Sequence, residues 1–356
     1  MTDNTTIDTA RLEQFMGQVV NDMAASMSVM MTDLGGKLGL YKAMAGAGPM
    51  TASDLAARTG THERYVREWL NNQAAGAYVT YHPATDTYEL PAEHAMVLAR
   101  EDSPVFMANG FGTAASMWFG QERIFEAFRT GRGIGWHEQH RSLHLATEYF
   151  FRTGYRAHLT TQWIPALDGV EEKLRSGARV ADVGCGHGAS TIIMAQAYPD
   201  SRFFGFDYHD ASIATATERA AEAGVAGRAQ FAAASAKQYP RANYDLICFM
   251  DCLHDLGDPL GAAKHARQAI APDGVVMLVE PNAGDTVADN LHPVGRLFYA
   301  ASTAFCTPNS LSQEVGAALG AQAGEARLRE IFREAGFRHF RQAARTPFNL
   351  ILEARP

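Results

Sequence analysis

The sequence predicts an α/β protein with a doubly wound, mostly parallel sheet of seven strands, preceded by a smaller, mainly helical domain. The chain has 356 residues, long enough for about two domains. Its first hundred residues have helical and then briefly β patterns, whereas from Arg179 onward β-rich runs alternate with helical segments. A composition of 47% hydrophobic and 20% charged residues is typical of a globular protein.

The N-terminal region has the pattern of a winged helix, which we expect over residues 1–103. Residues 51–79, "TASDLAARTGTHERYVREWLNNQAAGAYV", predict two short helices separated by a turn at Gly60. Thr51 and Thr61 are the expected N-caps, and Asp54 approximates a capping box with Thr51. Residues 77–91, "AYVTYHPATDTYELP", then alternate like a β-hairpin.

A winged helix raises the question of DNA binding, which the charges disfavour. The second helix carries Arg64 and Arg67 but also Glu63 and Glu68, and the whole chain has a net charge of −8. Neutralising DNA phosphates requires a cluster of cations. We therefore expect no nucleic-acid partner and a dimerisation or structural role for this domain.

Residues 104–170 are rich in aromatic, methionine and histidine residues, and we expect a helical linker or lid there. His137, His140 and His144 are spaced i, i+3 and i+7, which would place them on one helix face. Three histidines on a face can bind a metal ion, but a polar lining or a solvated face is the favoured interpretation.

The cysteines predict neither disulfides nor a metal site. The four cysteines form no CxxC pair, and Cys248 and Cys252 lack the second pair that a zinc site of that kind would need. Reduced thiols are typical of a cytosolic protein. No secretory signal pattern and no bilayer-length apolar run are visible, so we expect a cytoplasmic protein without a membrane partner.

The C-terminal domain, expected over residues 171–356, contains seven predicted strands. In chain order they are "RVADVG", "RFFGFD", "AQFAAAS", "YDLICFM", "GVVMLVEP", "FRHFRQAARTP" and "FNLILEARP". Helices are predicted from about Ser190, through Ala223, and over "GAAKHARQAI". Ligands of such sheets bind outside the carboxyl ends of the strands.

A glycine loop follows the first of these strands, in "VADVGCGHGAS". Gly184, Gly186 and Gly188 give the spacing GxGxG, whereas the dinucleotide pattern is GxGxxG. Asp182 would repel a pyrophosphate but suits an ammonium group. Asp207 lies 19 residues after Gly188, near the offset of an acid that binds ribose hydroxyls. These features favour S-adenosylmethionine (SAM), which has an amino-acid end and no phosphate, over a nicotinamide cofactor.

The segments "VADVGCGHG", "FFGFDYH", "YDLICFMDCLHDLGDP" and "GVVMLVEP" resemble the class I SAM-dependent methyltransferases. With its winged-helix-like front, the whole chain resembles the two-domain small-molecule O-methyltransferases. The resemblance implies a Rossmann-like sheet, an N-terminal domain that dimerises and helps to close the active site, and S-adenosylhomocysteine as product. The implied cofactor-binding residues are Asp182, Gly184, Cys185, Gly186, Asp207, Tyr208, Ser235, Ala236 and Asp251.

The sequence departs from the family in "AAASAKQ", after the third strand. Many relatives carry an acid there that binds the adenine amino group, whereas this chain has Ala234 and Ser235. We therefore expect adenine recognition to rest on Ser235 and on the backbone at Ser235 and Ala236.

The stretch "CLHDLGDP" resembles the His-Asp-Trp stretch of those O-methyltransferases, with Leu256 in place of tryptophan. The resemblance implies that His254 is the general base. Ionising a phenol at pH 7 without help costs roughly three pKa units, or about 4 kcal/mol, and a histidine can accept that proton. Asp258 and Pro259 predict the start of the next helix, which leaves His254 free of a capping role. Asp255 either orients His254 or faces solvent.

The acceptor is expected to be small and partly apolar. Residues 280–306 form a long connection after the fifth strand, and Asn282, Arg296 and Tyr299 are candidate substrate contacts in it. O-methylation is the leading reaction, and N- or C-methylation, which needs no strong base, is the alternative. Two other function classes are a DNA-binding regulator that senses SAM and a NAD-dependent oxidoreductase.

Overall fold

A computed structural model describes residues 7–356. The chain divides into two compact units, Met1–Ser116 and Met117–Pro356. The boundary therefore lies inside the segment 104–170 that the sequence suggested as a linker or lid. Among the helices of the described residues, none has the length and apolar character needed to cross a membrane.

The first unit contains five helices and one hairpin ahead of the boundary. Their bounds are α1 Thr9–Lys37, α2 Leu40–Met44, α3 Ala52–Thr59, α4 Glu63–Ala75, β1 Thr80–His82, β2 Thr87–Glu89 and α5 Ala92–Leu98. A sixth helix, α6 (Phe111–Phe119), runs across the boundary. Helices α3 and α4 with the antiparallel β1–β2 hairpin form the predicted winged helix.

The caps of α3 and α4 account for the turn between them. Thr51 and Asp54 form the predicted capping box, and Gly60 ends α3 in the left-handed conformation. The predicted cap at Thr61 is wrong, because the N-cap of α4 is His62, whose Nδ1 accepts a hydrogen bond from Arg64 N at 3.3 Å. The Thr61 hydroxyl instead lies 2.8 Å from that of Thr59.

The charges on α4 are paired within the helix. Arg64 lies 2.6 Å from Glu68, and Arg67 Nε donates to Glu63 at 2.8 Å. Its apolar face, including Trp69, is buried in the core of the first unit. The helix therefore presents no unpaired cluster of arginines of the kind that DNA phosphates require.

Helix α1 is long and carries an exposed apolar seam. Seven side chains recur at spacings of three and four residues and are each at least 38% exposed: Leu12, Met16, Val19, Met23, Met27, Met30 and Leu34. The seven side chains of this seam thus do not form core within the first unit, whereas Met31 of the same helix packs against that core.

The second unit contains the predicted sheet. Its strands are β3 Arg179–Val183, β4 Arg202–Asp207, β5 Ala229–Ala233, β6 Tyr244–Met250, β7 Ile270–Pro281, β8 His339–Arg345 and β9 Asn349–Arg355. Its helices are α7 Gln121–Thr130, α8 Arg141–Gly154, α9 Val170–Ser176, α10 Ala189–Ala197, α11 Asp210–Glu222, α12 Pro259–Ala269, α13 Pro293–Ala301, α14 Thr307–Leu311 and α15 Gly324–Glu334. Tyr155–Trp163 and Ser302–Cys306 are π-helical segments.

The strand order is β5-β4-β3-β6-β7-β9-β8, with β9 antiparallel to both neighbours and the other pairs parallel. This is the predicted seven-stranded, mostly parallel sheet. The chain moves outward from β3 to β5 and then returns to the other side of β3 with β6. The switch point therefore lies between β3 and β6, where ligands of such sheets bind.

The central strands are buried on both faces. Val180 packs on one side with Trp163 and Met194, and Ala181 packs on the other side with Ala266 and Phe332. Helices on both faces explain why these strands are continuous apolar runs without alternation. Asp258 caps α12 and accepts from Gly261 N at 2.8 Å, with Pro259 in the first turn, as predicted.

Candidate active site

The glycine loop after β3 requires its glycines for backbone conformation. Gly184, Gly186 and Gly188 have φ values of 77°, 51° and 76°, a region that residues with a Cβ rarely adopt. A Cβ on Gly184 would lie 2.7 Å from Cys252 Sγ, and one on Gly188 would lie 2.8 Å from the Phe231 ring. The loop thus brings bare backbone to the start of α10.

Asp182 lies beneath this loop and is fully buried. Its Oδ2 accepts hydrogen bonds from Ser190 Oγ and Thr191 Oγ1, both at 2.6 Å, which ties β3 to the first turn of α10. Burial raises the pKa of its carboxyl group. Its Oδ1 accepts no hydrogen bond in the described part of the chain, and the residue is not part of the cavity wall described next.

An open cavity of about 940 Å³ lies beside the loop, at the carboxyl ends of β3, β4 and β6. Gly184, Cys185 and Gly186 form one wall, and Asp207 at the end of β4 adjoins them. Residues 250–252, 255 and 256 after β6 form the opposite wall. Side chains of α8 and of the π-helical segment after it, together with Trp136 and Asn309, complete the lining.

Two carboxylates of the cavity lining, the half-buried Asp207 and the buried Asp251, accept hydrogen bonds from neutral donors. Asp207 accepts from Gly186 N at 3.0 Å and from His209 N at 2.9 Å. Asp251 accepts from Tyr155 Oη at 2.9 Å and from Asn349 Nδ2 at 2.7 Å.

Burial raises the pKa of the Asp207 carboxyl, and it raises that of Asp251 strongly, with a further contribution from the nearby Glu280 charge. A positively charged or hydroxyl-bearing ligand in the cavity would stabilise their ionised forms. Asp251 also has a φ of 50°, a strained conformation at the cavity wall.

Glu148, a third acid on the wall, already has cationic partners. It lies 2.8 Å from His187 Nδ1 and 2.6 Å from Arg219. Burial by itself would raise its pKa, but these two partners lower it below the ordinary value. Because His187 belongs to the glycine loop, Glu148 joins α8 to that loop and to α11.

Four residues of the predicted cofactor set lie outside the cavity wall: Asp182, described above, Tyr208, Ser235 and Ala236. Tyr208 is 48% exposed. Ser235 and Ala236 follow β5 and are half-buried, and the Ser235 hydroxyl lies 3.3 Å from Gln238 Oε1.

His254 lies directly after β6 in a short 3-10 turn and is 3% exposed. Its Nδ1 lies 2.6 Å from Glu280 Oε2, and Glu280 Oε1 accepts from Leu253 N at 3.0 Å. Burial by itself would lower the pKa of His254, but Glu280 and Asp255 raise it well above its ordinary value. Glu280 thus fixes the orientation of the ring and leaves Nε2 as the free ring nitrogen.

Asp255, and not His254, lines the cavity. Its Oδ1 lies 3.4 Å from His254 Nε2, and no hydrogen bond within residues 7–356 reaches this buried oxygen. Cys306, at the end of a π-helical segment, brings its thiol beside both residues. The prediction left open whether Asp255 orients His254 or faces solvent, and the geometry places its carboxylate between His254 and the cavity.

The three candidate substrate contacts lie away from this wall. The Asn282 side chain donates to Thr346 O at 3.0 Å and holds the loop before β9. Arg296 and Tyr299 lie on α13, where Arg296 is exposed and Tyr299 half-buried.

The prediction that His137, His140 and His144 share one helix face is wrong. His137 lies in a short 3-10 turn, His140 is the N-cap of α8, and only His144 lies within that helix. His144 stacks on Trp136, with ring centroids 4.9 Å apart, and lines the cavity. The cap interrupts the helix because His140 Nδ1 accepts from Ser142 N.

Two segments of the chain match known protein families. Residues 25–100 match the Rv2258c-like winged HTH domain, and residues 174–336 match a family described as a methyltransferase domain. The chain thus contains a winged HTH domain followed by a methyltransferase domain. The glycine loop and the His254 turn lie in the methyltransferase domain, whereas α8, which lines part of the cavity, precedes it.

The chain also resembles individual proteins. It is 31% identical to 27-O-demethylrifamycin SV methyltransferase of Amycolatopsis mediterranei over 131 residues, and this match covers 35% of this chain and 48% of that protein. The chain spans about half the length of the curated relatives that it matches first.

Two solved structures share the fold over nearly the whole chain. Human N-acetylserotonin methyltransferase, solved in complex with SAM, has a TM-score of 0.70 at 17% identity and covers 99% of each chain. Mitomycin 7-O-methyltransferase has a TM-score of 0.66 at 21% identity and covers 98% of this chain and 100% of its own. At these identities the likeness shows the fold alone.

Sequence reasoning missed several residues of the candidate site. Glu148, Tyr155, Asn309 and Cys306 lie far along the chain from the motifs that they contact. Glu148 and Tyr155 belong to the aromatic-rich segment before the sheet, where no local spacing distinguishes them from core residues. Only the packing of that segment against the glycine loop and β6 reveals their position.

Proposed function

We propose that the protein is a SAM-dependent methyltransferase that methylates a small, partly apolar acceptor, with O-methylation as its reaction. One observation carries the cofactor assignment. The cavity beside a GxGxG loop is lined by two carboxylates, the half-buried Asp207 and the buried Asp251, whose hydrogen-bond donors among the described residues are all neutral. Such a wall suits a ligand that has hydroxyls and positive charge and lacks phosphate groups.

The residues present fit the two ends of this cofactor. Asp207 would bind the ribose hydroxyls, since it ends β4 beside the loop. Asp251 lies on the wall and accepts hydrogen bonds only from neutral donors, so it is better placed than Asp182 to hold the ammonium group. Asp182 would then act indirectly, because its bonds to Ser190 and Thr191 fix the loop and the start of α10. When bound, SAM supplies an electrophilic methyl group.

His254 is the proposed proton acceptor for the acceptor hydroxyl. Glu280 holds Nδ1, so the lone pair of the neutral ring lies on Nε2, toward Asp255. Asp255 faces the cavity and would either relay the proton to Nε2 or hold the acceptor hydroxyl in reach of it. Such positioned proton transfer contributes typically about 10²- to 10⁴-fold to a rate.

The acceptor class follows from the other wall residues. Trp136, Phe151, Met250 and Leu256 give the cavity an apolar lining beside its carboxylates. A ring with a hydroxyl substituent would place its apolar part there and its hydroxyl near Asp255. A phenol is therefore the proposed acceptor class.

The experiment that tests this function uses methyl-labelled SAM with a panel of phenols, carboxylic acids and amines. We expect label in a phenol, and a fall of about 10²- to 10⁴-fold in kcat for His254→Ala. Asp255→Asn keeps the shape of the side chain and should also lower kcat if the carboxylate takes part in the proton's path. His265→Ala, at a histidine that contacts Tyr239 O on the far side of the sheet, is the matched control.

Each alternative has its own outcome in this assay. Label entering an amine or a carbon acceptor at equal rates in wild type and His254→Ala would replace O-methylation by base-independent transfer. Cofactor binding without transfer to any acceptor, combined with a shift of DNA fragments in a gel, would favour the regulator.

We also propose that the protein forms a homodimer and is located in the cytoplasm. The apolar seam on α1 is the proposed homodimer surface, because its three- and four-residue spacing is that of helix pairs. The expectation of no nucleic-acid partner agrees with the paired arginines of α4, and we propose a cytoplasmic location without a membrane partner.

A further inference from the structure

The proposed base belongs to a cluster of three side chains whose polar atoms are suited to bind a metal ion such as zinc. His254, Asp255 and Cys306 each offer one ligand atom, and these atoms lie within 4.8 Å of one another. His254 is 3% exposed and Cys306 is 8% exposed. A tetrahedral zinc ion with bonds of about 2.0–2.3 Å separates its ligand atoms by about 3.3–3.8 Å, so movements of up to about 1.5 Å would close this cluster around an ion.

Two further observations indicate a ligand at this point. Asp255 Oδ1 is buried and accepts no hydrogen bond from any described residue, although buried carboxylate oxygens normally have donors. Glu280 Oε2 lies 2.6 Å from His254 Nδ1. A metal-bound histidine almost always donates its second N–H to such an acceptor, which fixes the ring with its other nitrogen toward the metal.

We propose that His254 Nε2, the Asp255 carboxylate and Cys306 Sγ bind Zn²⁺, and that the bound ion blocks the proton-accepting role of His254. The nitrogen–oxygen–sulfur set favours zinc over magnesium or calcium, which prefer oxygen ligands alone. Because Asp255 lines the cavity, an ion would reach the site from the cavity. Binding forms a bond from the Cys306 thiolate to the ion and releases the thiol proton to solvent.

The inhibitory part of the proposal rests on the proposed function, whereas the metal site does not. An ion on Nε2 uses the same lone pair that would accept the proton of the acceptor hydroxyl. Zinc-bound and base-competent enzyme are therefore mutually exclusive states. Cys248 and Cys252, the pair considered from sequence, lie outside this cluster, and Cys252 Sγ instead contacts Val183 O at 3.1 Å.

The test is a titration of the chelator-treated full-length protein with Co²⁺, which reports a thiolate ligand through its charge-transfer absorption. We expect this absorption to saturate at one equivalent in the wild type, to vanish in Cys306→Ser and to persist in Cys248→Ala. Displacement of Co²⁺ by Zn²⁺ gives the zinc affinity, which Glu280→Gln should weaken by about 10- to 100-fold. Absence of the absorption in the wild type, or its persistence in Cys306→Ser, would overturn the metal site.

Two further measurements keep the result interpretable. Asp255→Asn retains the thiol, so it should keep the absorption and bind zinc more weakly. It is the substitute variant if circular dichroism shows that Cys306→Ser does not fold. In the methyl-transfer assay, Zn²⁺ should abolish activity and a chelator should restore it. Full activity with the site saturated by zinc would overturn the inhibitory role, and an enzyme inactive on every acceptor would leave the titration to decide the metal site alone.

Discussion

At the scale of single residues, the acids around the cavity differ in the partners that they already have. Glu148 lies against Arg219 and His187, and Glu280 holds His254. Asp207 and Asp251 have only neutral donors. A buried carboxylate without a cation is costly in the ligand-free protein, so Asp207 and Asp251 are the positions at which a bound cofactor gains most.

This difference predicts a loss of cofactor affinity in Asp207→Asn. Replacing a charged hydrogen-bond acceptor by an amide removes about 1.5–3 kcal/mol, which raises the Kd for SAM by about 10- to 100-fold. Isothermal titration calorimetry measures this Kd. Asp210→Asn, at an exposed carboxylate three residues further on, should leave the Kd within about twofold. Equal affinities in wild type and Asp207→Asn would remove this residue from the cofactor site.

At the scale of elements, the glycine loop and α10 form one unit. Gly188 is the N-cap of α10 in the left-handed conformation, and its missing Cβ makes room for the Phe231 ring of β5. Gly186 has a similar φ, but nothing lies within 4 Å of the position that its Cβ would take. A comparison of alanine substitutions at the two glycines therefore distinguishes the cost of left-handed backbone from the cost of packing against Phe231.

We expect Gly188→Ala to destabilise the protein more than Gly186→Ala. Left-handed backbone costs an alanine about 1–2 kcal/mol at either position, and overpacking against Phe231 adds about 1–3 kcal/mol at Gly188 alone. Urea denaturation of both variants measures the difference in the free energy of unfolding. Equal losses would mean that Phe231 moves aside without cost.

At the scale of the whole molecule, Glu148 links three parts of the second unit, because it lies on α8 and contacts His187 of the glycine loop and Arg219 of α11. Its partners lower its pKa below the ordinary 4.5. The ionised carboxylate therefore stabilises the fold above about pH 4.5, and this stabilisation is lost as the pH falls through the lowered pKa of the folded state.

This linkage predicts how Glu148→Gln behaves with pH. The variant should have a smaller free energy of unfolding than the wild type at pH 7, and the gap should shrink between about pH 4.5 and pH 3. Chemical denaturation at several pH values measures it. Glu222→Gln, at an exposed acid of α11, is the control and should show no such convergence. A gap that stays constant down to pH 3 would exclude an ionic role for Glu148.

The apolar seam of α1 gives a second prediction at this scale. Met27, 74% exposed, lies in the middle of the seam, and a lysine there would place a charge in a helix–helix interface. We expect Met27→Lys to lower the molar mass in light scattering from that of a dimer to that of a monomer. Gln14→Lys, on the opposite face of α1, should stay dimeric. A monomeric wild type would refute the homodimer.

Local sequence patterns were sufficient to predict much of the fold. β4 and β6 begin and end at the predicted residues, because buried parallel strands are uninterrupted apolar runs bounded by polar and turn-forming residues. The capping box at Thr51 and the cap at Asp258 were predicted because a helix cap depends on residues within four positions.

The site was predictable only where its residues belong to one continuous motif. The glycine loop, Asp207 and the turn with His254 and Asp255 were found in this way, since each directly follows a strand. The helix predicted across His137, His140 and His144 was wrong, because capping at His140 competes with the helical spacing.

The sequence by itself determined the fold class, the glycine loop and the acids that follow the strands of the sheet. Only the tertiary structure decided which acids reach the cavity, since Asp182 is turned toward Ser190 and Thr191 while Asp251 lies on the wall. It also decided that Glu280 holds His254 and that Cys306 lies beside it. The physical reason is that backbone preferences and burial patterns act over a few residues, whereas contacts between distant segments depend on strand order and helix packing.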